Sequence, residues 1–277
     1  MKKTNKRVKA AILVLTLLGL LAILFSAVCI IQNKMLFHPF RNMQAEEYMM
    51  QNGFEKTEIQ NGKYTCVGWL HRCDESRKTL VYFGGNSQIS ALNMQNWDIN
   101  ECWKYFADYN VLSVDYPGYG ESGGSPSEKS IFETVNSVMR YVGADETLNE
   151  KIVVMGFSLG TGAAVYASAN YEVSGLILAA PYDEMASAYN NFVDIFHGAA
   201  KKLIIYPFKS YKYAKDVKAQ TLIFASKDDE VIPYESSERL SKNFSDAELF
   251  TASGLRHNEI LWNEEVVKKI NLFLKKC

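Results

Sequence analysis

The stretch Lys151 to Gly162, KIVVMGFSLGTG, holds the residues best spaced to do chemistry. It reads as an apolar strand, Ile152 to Met155, then a sharp turn at Gly156-Phe157-Ser158-Leu159-Gly160, then a helix of small residues, Thr161 to Ser168. In such a turn the positions two before and two after the serine must be small, and the strain lifts the hydroxyl out of the sheet. Ser158 is therefore the candidate nucleophile. The helix that starts there aims its free N–H groups and positive dipole end at charge developing beside the serine.

A serine hydroxyl needs a base to take its proton, and histidine has a pKa suited to that near neutral pH. The chain has four histidines. His38 follows a long apolar run, His71 ends an early strand, and His197 lies in a connecting segment. His257 follows the last predicted strand, and it comes after both Ser158 and the pair Asp228-Asp229. Either aspartate could orient its ring. Successive side chains of an extended segment point to opposite sides, so the two do not serve the same imidazole.

These residues need a frame. From Thr79 onward short apolar runs (TLVYF, VLSVD, IVVM, GLILAA, TLIFA and AELF) alternate with helical patterns. The helices are expected near Ser90 to Ala107, at Glu128 to Val142, after Ser158, at Ser236 to Asn243 and at Trp262 to Lys276. Apolar strands between helices predict a mostly parallel α/β sheet covered on both faces. Before it, Phe54 to Gln60 and Tyr64 to His71 alternate around Asn61-Gly62 and predict an antiparallel hairpin. The segment from Tyr182 to Gln220 is long enough for a crossover helix but not for a large lid. Open sheets of this kind bind ligands at the carboxyl ends of their strands. There the sequence places Gly84-Gly85-Asn86-Ser87, Tyr116 to Gly120, Ser226 to Asp229 and Gly254 to Asn258.

The chain has 277 residues, 48% of them hydrophobic, which supports a sizeable core. A net charge of −1 argues against nucleic acid as a partner. Lys2, Lys3, Lys6, Arg7 and Lys9 precede the uncharged run Ala10 to Ile31. As a helix that run is roughly 33 Å long, enough to span a bilayer core of about 30 Å. It is too long for a cleaved leader, so residues 1–9 read as a basic cytoplasmic tail and 10–31 as an uncleaved transmembrane anchor. Residues 32–39 then form a juxtamembrane linker and 40–277 one domain on the extracytoplasmic side. Cys66, Cys73 and Cys102 show neither zinc nor disulfide spacing and read as structural thiols.

Taken together, the motifs resemble those of the α/β hydrolases, specifically membrane-anchored serine hydrolases with a short cap. The resemblance covers residues 32 to 277. It rests on Gln32, Phe37 and Pro39 after the anchor, on the run Asp115 to Gly124, and on G-x-S-x-G. A D-x-x-[VI]-P segment (Asp229 to Pro233) and a final G-x-x-H-N (Gly254 to Asn258) complete it. It implies an α/β-hydrolase fold and the triad order Ser158, Asp229, His257. Asp229, four residues before Pro233, becomes the expected acid and Asp228 a solvated loop charge. The oxyanion hole implied is the backbone N–H groups of Leu159 and Asn86. Many relatives carry His-Gly-Asn where this chain has Gly84-Gly85-Asn86. The glycines and Pro117 of the Asp115 to Gly124 run are expected to shape a supporting loop.

The expected activity is hydrolysis of a carboxylic ester or thioester, on a small-molecule or lipid-like acyl substrate, through an acyl-serine. No metal or cofactor is implied. A peptidase with the same residues is the competing enzyme reading; it needs a pocket for a peptide amine or side chain, and the short crossover shows no acidic cluster beyond Asp183 and Glu184. A binding scaffold that uses the same fold without catalysis is the competing class.

Overall fold

The computed structural model describes residues 2–73, 75–106 and 108–277. The chain divides into two units, residues 1–38 and 39–277. The first unit is one helix, α1 (Lys2–Leu36). Its stretch Lys6–Leu36, with mean hydropathy 2.9, is long and apolar enough to cross a membrane. Met1 of the basic tail lies outside the described residues.

The second unit opens with α2 (Met43–Gln51), capped by the Asn42 side chain, which accepts from Ala45 N. The sequence reading passed over this helix, although Asn42 supplies a start signal. The hairpin β1 (Glu55–Asn61) and β2 (Tyr64–His71) follows. Its loop is Gly62-Lys63, with Gly62 at φ +61°, one residue later than the expected turn at Asn61-Gly62. Asn61 stays in the strand because its buried amide donates to Thr134 Oγ1 and Tyr64 OH, at 2.9 and 3.0 Å.

The sheet core is β3 (Lys78–Phe83), β4 (Asn110–Val114), β5 (Lys151–Phe157), β6 (Gly175–Ala179), β7 (Thr221–Ser226) and β8 (Ala247–Ala252). The order is β1-β2-β4-β3-β5-β6-β7-β8, with β4 through β8 mutually parallel to β3 and the β1-β2 hairpin antiparallel to β4. The chain leaves β3 for β4 on one side and returns to β5 on the other. The order thus reverses between β3 and β5, so the loops after those two strands open a crevice at their carboxyl ends.

Helices α3 (Ser90–Ile99), α4 (Glu128–Ala144) and α5 (Leu159–Asn170) cover the sheet. α3 is shorter than expected. Asn100 caps it and Glu101, at φ 53°, turns the chain into a separate 3₁₀ turn at Cys102–Tyr105; the expected end at Ala107 lies outside the described residues. Between β6 and β7 the expected crossover helix is replaced by short pieces. These are α6 (Met185–Asn190), a 3₁₀ turn at Gly198–Leu203, α7 (Ser210–Tyr213) and a 3₁₀ turn at Ala214–Asp216. Gly198 at φ 51° and Pro207 break the helical run. The chain ends with α8 (Tyr234–Ser241), a 3₁₀ turn at His257–Trp262, and α9 (Glu264–Leu274), which starts after the expected Trp262 because Asn263 caps it. One face of the sheet buries Trp69, Leu80, Tyr82, Met155, Ile177 and Phe224 against Met94, Trp97, Ile260, Val266 and Phe273 from the helices and the last turn.

Candidate active site

Ser158 stands between β5 and α5 with φ 51° and ψ −119°, a left-handed backbone that an L residue adopts only under strain. The neighbouring glycines make the turn possible. A Cβ on Gly160 would lie 2.0 Å from Phe83 O, and one on Gly156 2.5 Å from Gly160 O. Thr161 N and Thr161 Oγ1 both donate to Ser158 O, at 2.9 and 2.6 Å, and Ser158 N donates to Ala179 O at 2.9 Å. The backbone is held on three bonds while the side chain faces the sheet edge.

His257 begins the 3₁₀ turn after β8, and its Nε2 lies 2.9 Å from Ser158 Oγ across 99 residues of chain. Its Nδ1 lies 2.8 and 3.0 Å from the two oxygens of Asp229. An ionised carboxylate only accepts, so Nδ1 carries the proton in this network and Nε2 offers its lone pair to the serine. All three side chains are buried, with His257 5% and Ser158 8% exposed. Asp229 Oδ1 also accepts from Val231 N and Ile232 N at 2.8 and 2.9 Å, which fixes the carboxylate plane. Asp228 points elsewhere, its Oδ2 accepting from Gly254 N at 2.6 Å.

The histidine backbone has its own clamp. His257 N donates to Glu230 Oε2 at 3.1 Å and Arg256 reaches Glu230 Oε1 at 3.0 Å. Chiefly through the His257 N–H, these contacts hold the Glu230 carboxyl below its ordinary value. The Phe157 ring packs beside the imidazole, with ring centroids 5.0 Å apart.

Across the crevice, the loop after β3 forms a turn in which Gln88 N donates to Gly85 O at 3.2 Å. Gln88 Oε1 accepts from Gly85 N and from Tyr82 OH, both at 2.8 Å. Gly85 packs directly on the Phe157 ring, where a Cβ would come within 2.8 Å. Leu159 is the first residue of α5, so its N–H has no acceptor within the helix by position. Asn86 and Leu159 thus come from the two loops that border the crevice.

A cleft of about 390 Å³, which none of Ser158, Asp229 and His257 lines, is bordered by Asp183, Glu184, Lys201 and Arg239 among others. These four are paired: Arg239 Nε lies 2.7 Å from Asp183 Oδ2, and Lys201 bonds Glu184. Asp183 and Glu184, the acidic residues of the crossover, are both engaged within the protein.

A profile of the alpha/beta hydrolase fold matches residues 78–196, which hold β3 through β6 and the serine turn. The chain has the α/β-hydrolase fold. Among curated proteins it is 26% identical over 167 residues to alpha/beta hydrolase domain-containing protein aho-3 of Caenorhabditis elegans, a match covering 60% of this chain and 48% of that one. It is 25% identical over 213 residues to protein 17C of Xenopus tropicalis, covering 76% and 66%. The match thus spans about half to two thirds of the length of these relatives. Among solved structures of the fold, the Pyrococcus furiosus esterase Pf2001 superposes with a TM-score of 0.70 at 17% identity, covering 87% of this chain and 97% of that one. A CIB-like hydrolase of Thermoplasma acidophilum gives 0.60 at 21%, covering 81% and 99%.

Within this fold, the residues that sequence reasoning missed are Glu230 behind the histidine and Gln88 beneath Gly85. Neither has a local signature, because each acts on an atom brought to it by a loop.

Proposed function

We propose that this protein is a membrane-tethered serine hydrolase that cleaves a carboxylic ester or thioester through an acyl-serine intermediate. One observation carries the reading: the unbroken chain of hydrogen-bond distances from Ser158 Oγ through the His257 ring to Asp229, on a strained turn at the switch point of the sheet.

His257 Nε2 takes the Ser158 proton as Oγ attacks the acyl carbon. The negative charge that forms on the carbonyl oxygen is met by the backbone N–H groups of Leu159 and Asn86. The imidazolium, stabilised by Asp229, returns its proton to the departing alcohol or thiol as the C–O or C–S bond breaks. Water, deprotonated by the same histidine, then attacks the acyl-serine and releases the acid and free Ser158. A water-poor surround strengthens each of these charge contacts.

The membrane part of the reading is supported by α1, whose apolar stretch Lys6–Leu36 has the length of a span. The basic residues before it favour a cytoplasmic amino terminus with the catalytic unit outside.

The test is labelling with a fluorophosphonate probe, wild type beside Ser158→Ala, followed by a panel of ester, thioester and peptide substrates. Label on the wild type alone, with turnover of esters or thioesters, is the expected result. Folded wild type that takes no Ser158-dependent label overturns the hydrolase reading and leaves a binding scaffold.

A further inference from the structure

The Asp115 to Gly124 loop does more than turn the chain. Three of its side chains each hold one residue of the Gly84 to Ser90 loop. Tyr116 OH donates to Gly84 O at 2.9 Å, Asp115 Oδ1 accepts from Ser90 N at 2.6 Å, and Tyr119 OH donates to Asn86 Oδ1 at 3.1 Å. Tyr116 and Asp115 thus fix the two ends of the loop, and Tyr119 fixes its tip.

The tip needs holding. Ser87 has φ 59°, an unfavourable conformation for an L residue that persists only where the surroundings determine it. The post that holds it is itself rigid: Tyr119 is 0% exposed, its ring meets Tyr116 edge-on at 5.9 Å, and its N–H donates to Tyr116 O at 2.9 Å. Gly120, at φ 51°, allows the packing, since a Cβ there would lie 2.1 Å from Asp115 Oδ2. At Gly84 a Cβ would sit 3.3 Å from both Cβ and Oε1 of Gln88. The glutamine side chain occupies the space a larger residue at position 84 would need.

We propose that Tyr119 is a positioning residue for acyl transfer: by anchoring the Asn86 side chain it fixes the direction in which the Asn86 backbone N–H points. This rests on the hydrolase reading above. A donor fixed at the site of developing charge acts on the transition state and not on substrate binding. Loss of the Tyr119 hydroxyl therefore lowers kcat and leaves KM nearly unchanged.

The test compares the full-length protein with Tyr119→Phe, Asn86→Ala and the double variant on one ester substrate. Tyr119→Phe is expected to lower kcat about 10-fold, below the 10²–10³ loss on removing an oxyanion donor, with KM within about twofold and an unchanged melting temperature. The double variant is expected to match Asn86→Ala alone, because the hydroxyl acts through that side chain. Wild-type kcat in Tyr119→Phe, or losses that multiply in the double variant, overturns the proposal. Should Tyr119→Phe not fold, Asn86→Ala decides: a lowered kcat at unchanged KM supports the anchor, and wild-type kcat overturns it. A wild type with no Ser158-dependent turnover sinks the hydrolase reading itself; an active wild type beside an unaffected Tyr119→Phe sinks this inference alone.

Discussion

Asp228 and Asp229 are neighbours in the chain and hold opposite sides of the same histidine loop. Asp229 reaches the His257 ring at 2.8 Å, while Asp228 accepts the Gly254 N–H at 2.6 Å, before the loop arrives at the histidine. One carboxylate touches the ring and the other sets the approach of the backbone that carries it.

Asp229→Asn is therefore expected to keep the fold and lower kcat by about 10⁴, the loss that follows when a triad aspartate becomes an amide. Asp228→Asn keeps an acceptor for Gly254 N and is expected to cost less than about tenfold, within the range of a single exposed hydrogen bond. Steady-state kinetics on both purified variants, with matched melting curves, checks the ranking. The reverse order at equal stability would move the acid to Asp228.

Gly160→Ala and Gly156→Ala place a methyl group 2.0 and 2.5 Å from backbone oxygens that cannot step aside. Each is expected to destabilise the domain by more than about 3 kcal/mol, at or beyond the upper range for overpacking. Gly143, inside α4, has nothing within 4 Å of the same position, and Gly143→Ala is expected to stabilise by about 0.5–1 kcal/mol. Urea titration of the three variants tests the contrast, and a well-folded Gly160→Ala would refute the packing argument.

Asp115 makes the stability of the domain depend on pH. Burial, with smaller contributions from Glu46 and Glu121, pushes its carboxyl up to about 7, against the hydrogen bond from Ser90 N. Arg41 faces those two glutamates, at 2.7 Å from Glu46 and 3.4 Å from Glu121. The folded state therefore keeps a proton that the unfolded chain has lost, and stability falls as pH rises from about 4 to about 7, then levels off. Asp115→Asn, which keeps an acceptor for Ser90 N, is expected to flatten that decline and to gain on the wild type above pH 7. Denaturant midpoints at pH 4, 6 and 8 measure it; parallel profiles for the two proteins would show that Asp115 does not titrate in this window.

Protease added to intact cells or spheroplasts is expected to digest the catalytic unit, since the basic residues lie before the apolar helix. Digestion only after the membrane is broken would place that unit in the cytoplasm.

Apolar strands gave the sheet away, because parallel strands buried on both faces carry little else; the runs at Leu80, Val153, Leu176 and Leu222 all lie in strands. Ser158, Asp229 and His257, which the structure brings within hydrogen-bond distance of one another, each directly follow or lie one loop beyond such a run. Residues whose partners arrive from another loop left no such mark. Glu230 and Gln88 look like ordinary loop residues until the loops after β3, β5, β7 and β8 are laid side by side, and Tyr119, although inside a recognised motif, shows its partner Asn86 only when β3 and β4 pair. The hairpin slipped by one residue for the same reason: Asn61 is a good turn former, but Thr134 on α4, 73 residues away, draws it into the strand. The crossover between β6 and β7 has helical composition, yet Gly198 and Pro207 break it into short pieces, and local propensity cannot resolve that balance.

The 99 residues between Ser158 and His257 also set a schedule during synthesis. At roughly 5–20 residues per second, the serine leaves the ribosome on the order of 5–20 s before the histidine does. Over that interval β3, β4 and β5 can already pair, since they are neighbours in the sheet and all precede Ser158. The nascent chain thus has its serine turn built before His257 is made. On the proposed reading, acyl transfer must wait until the final 3₁₀ turn brings His257 to Ser158.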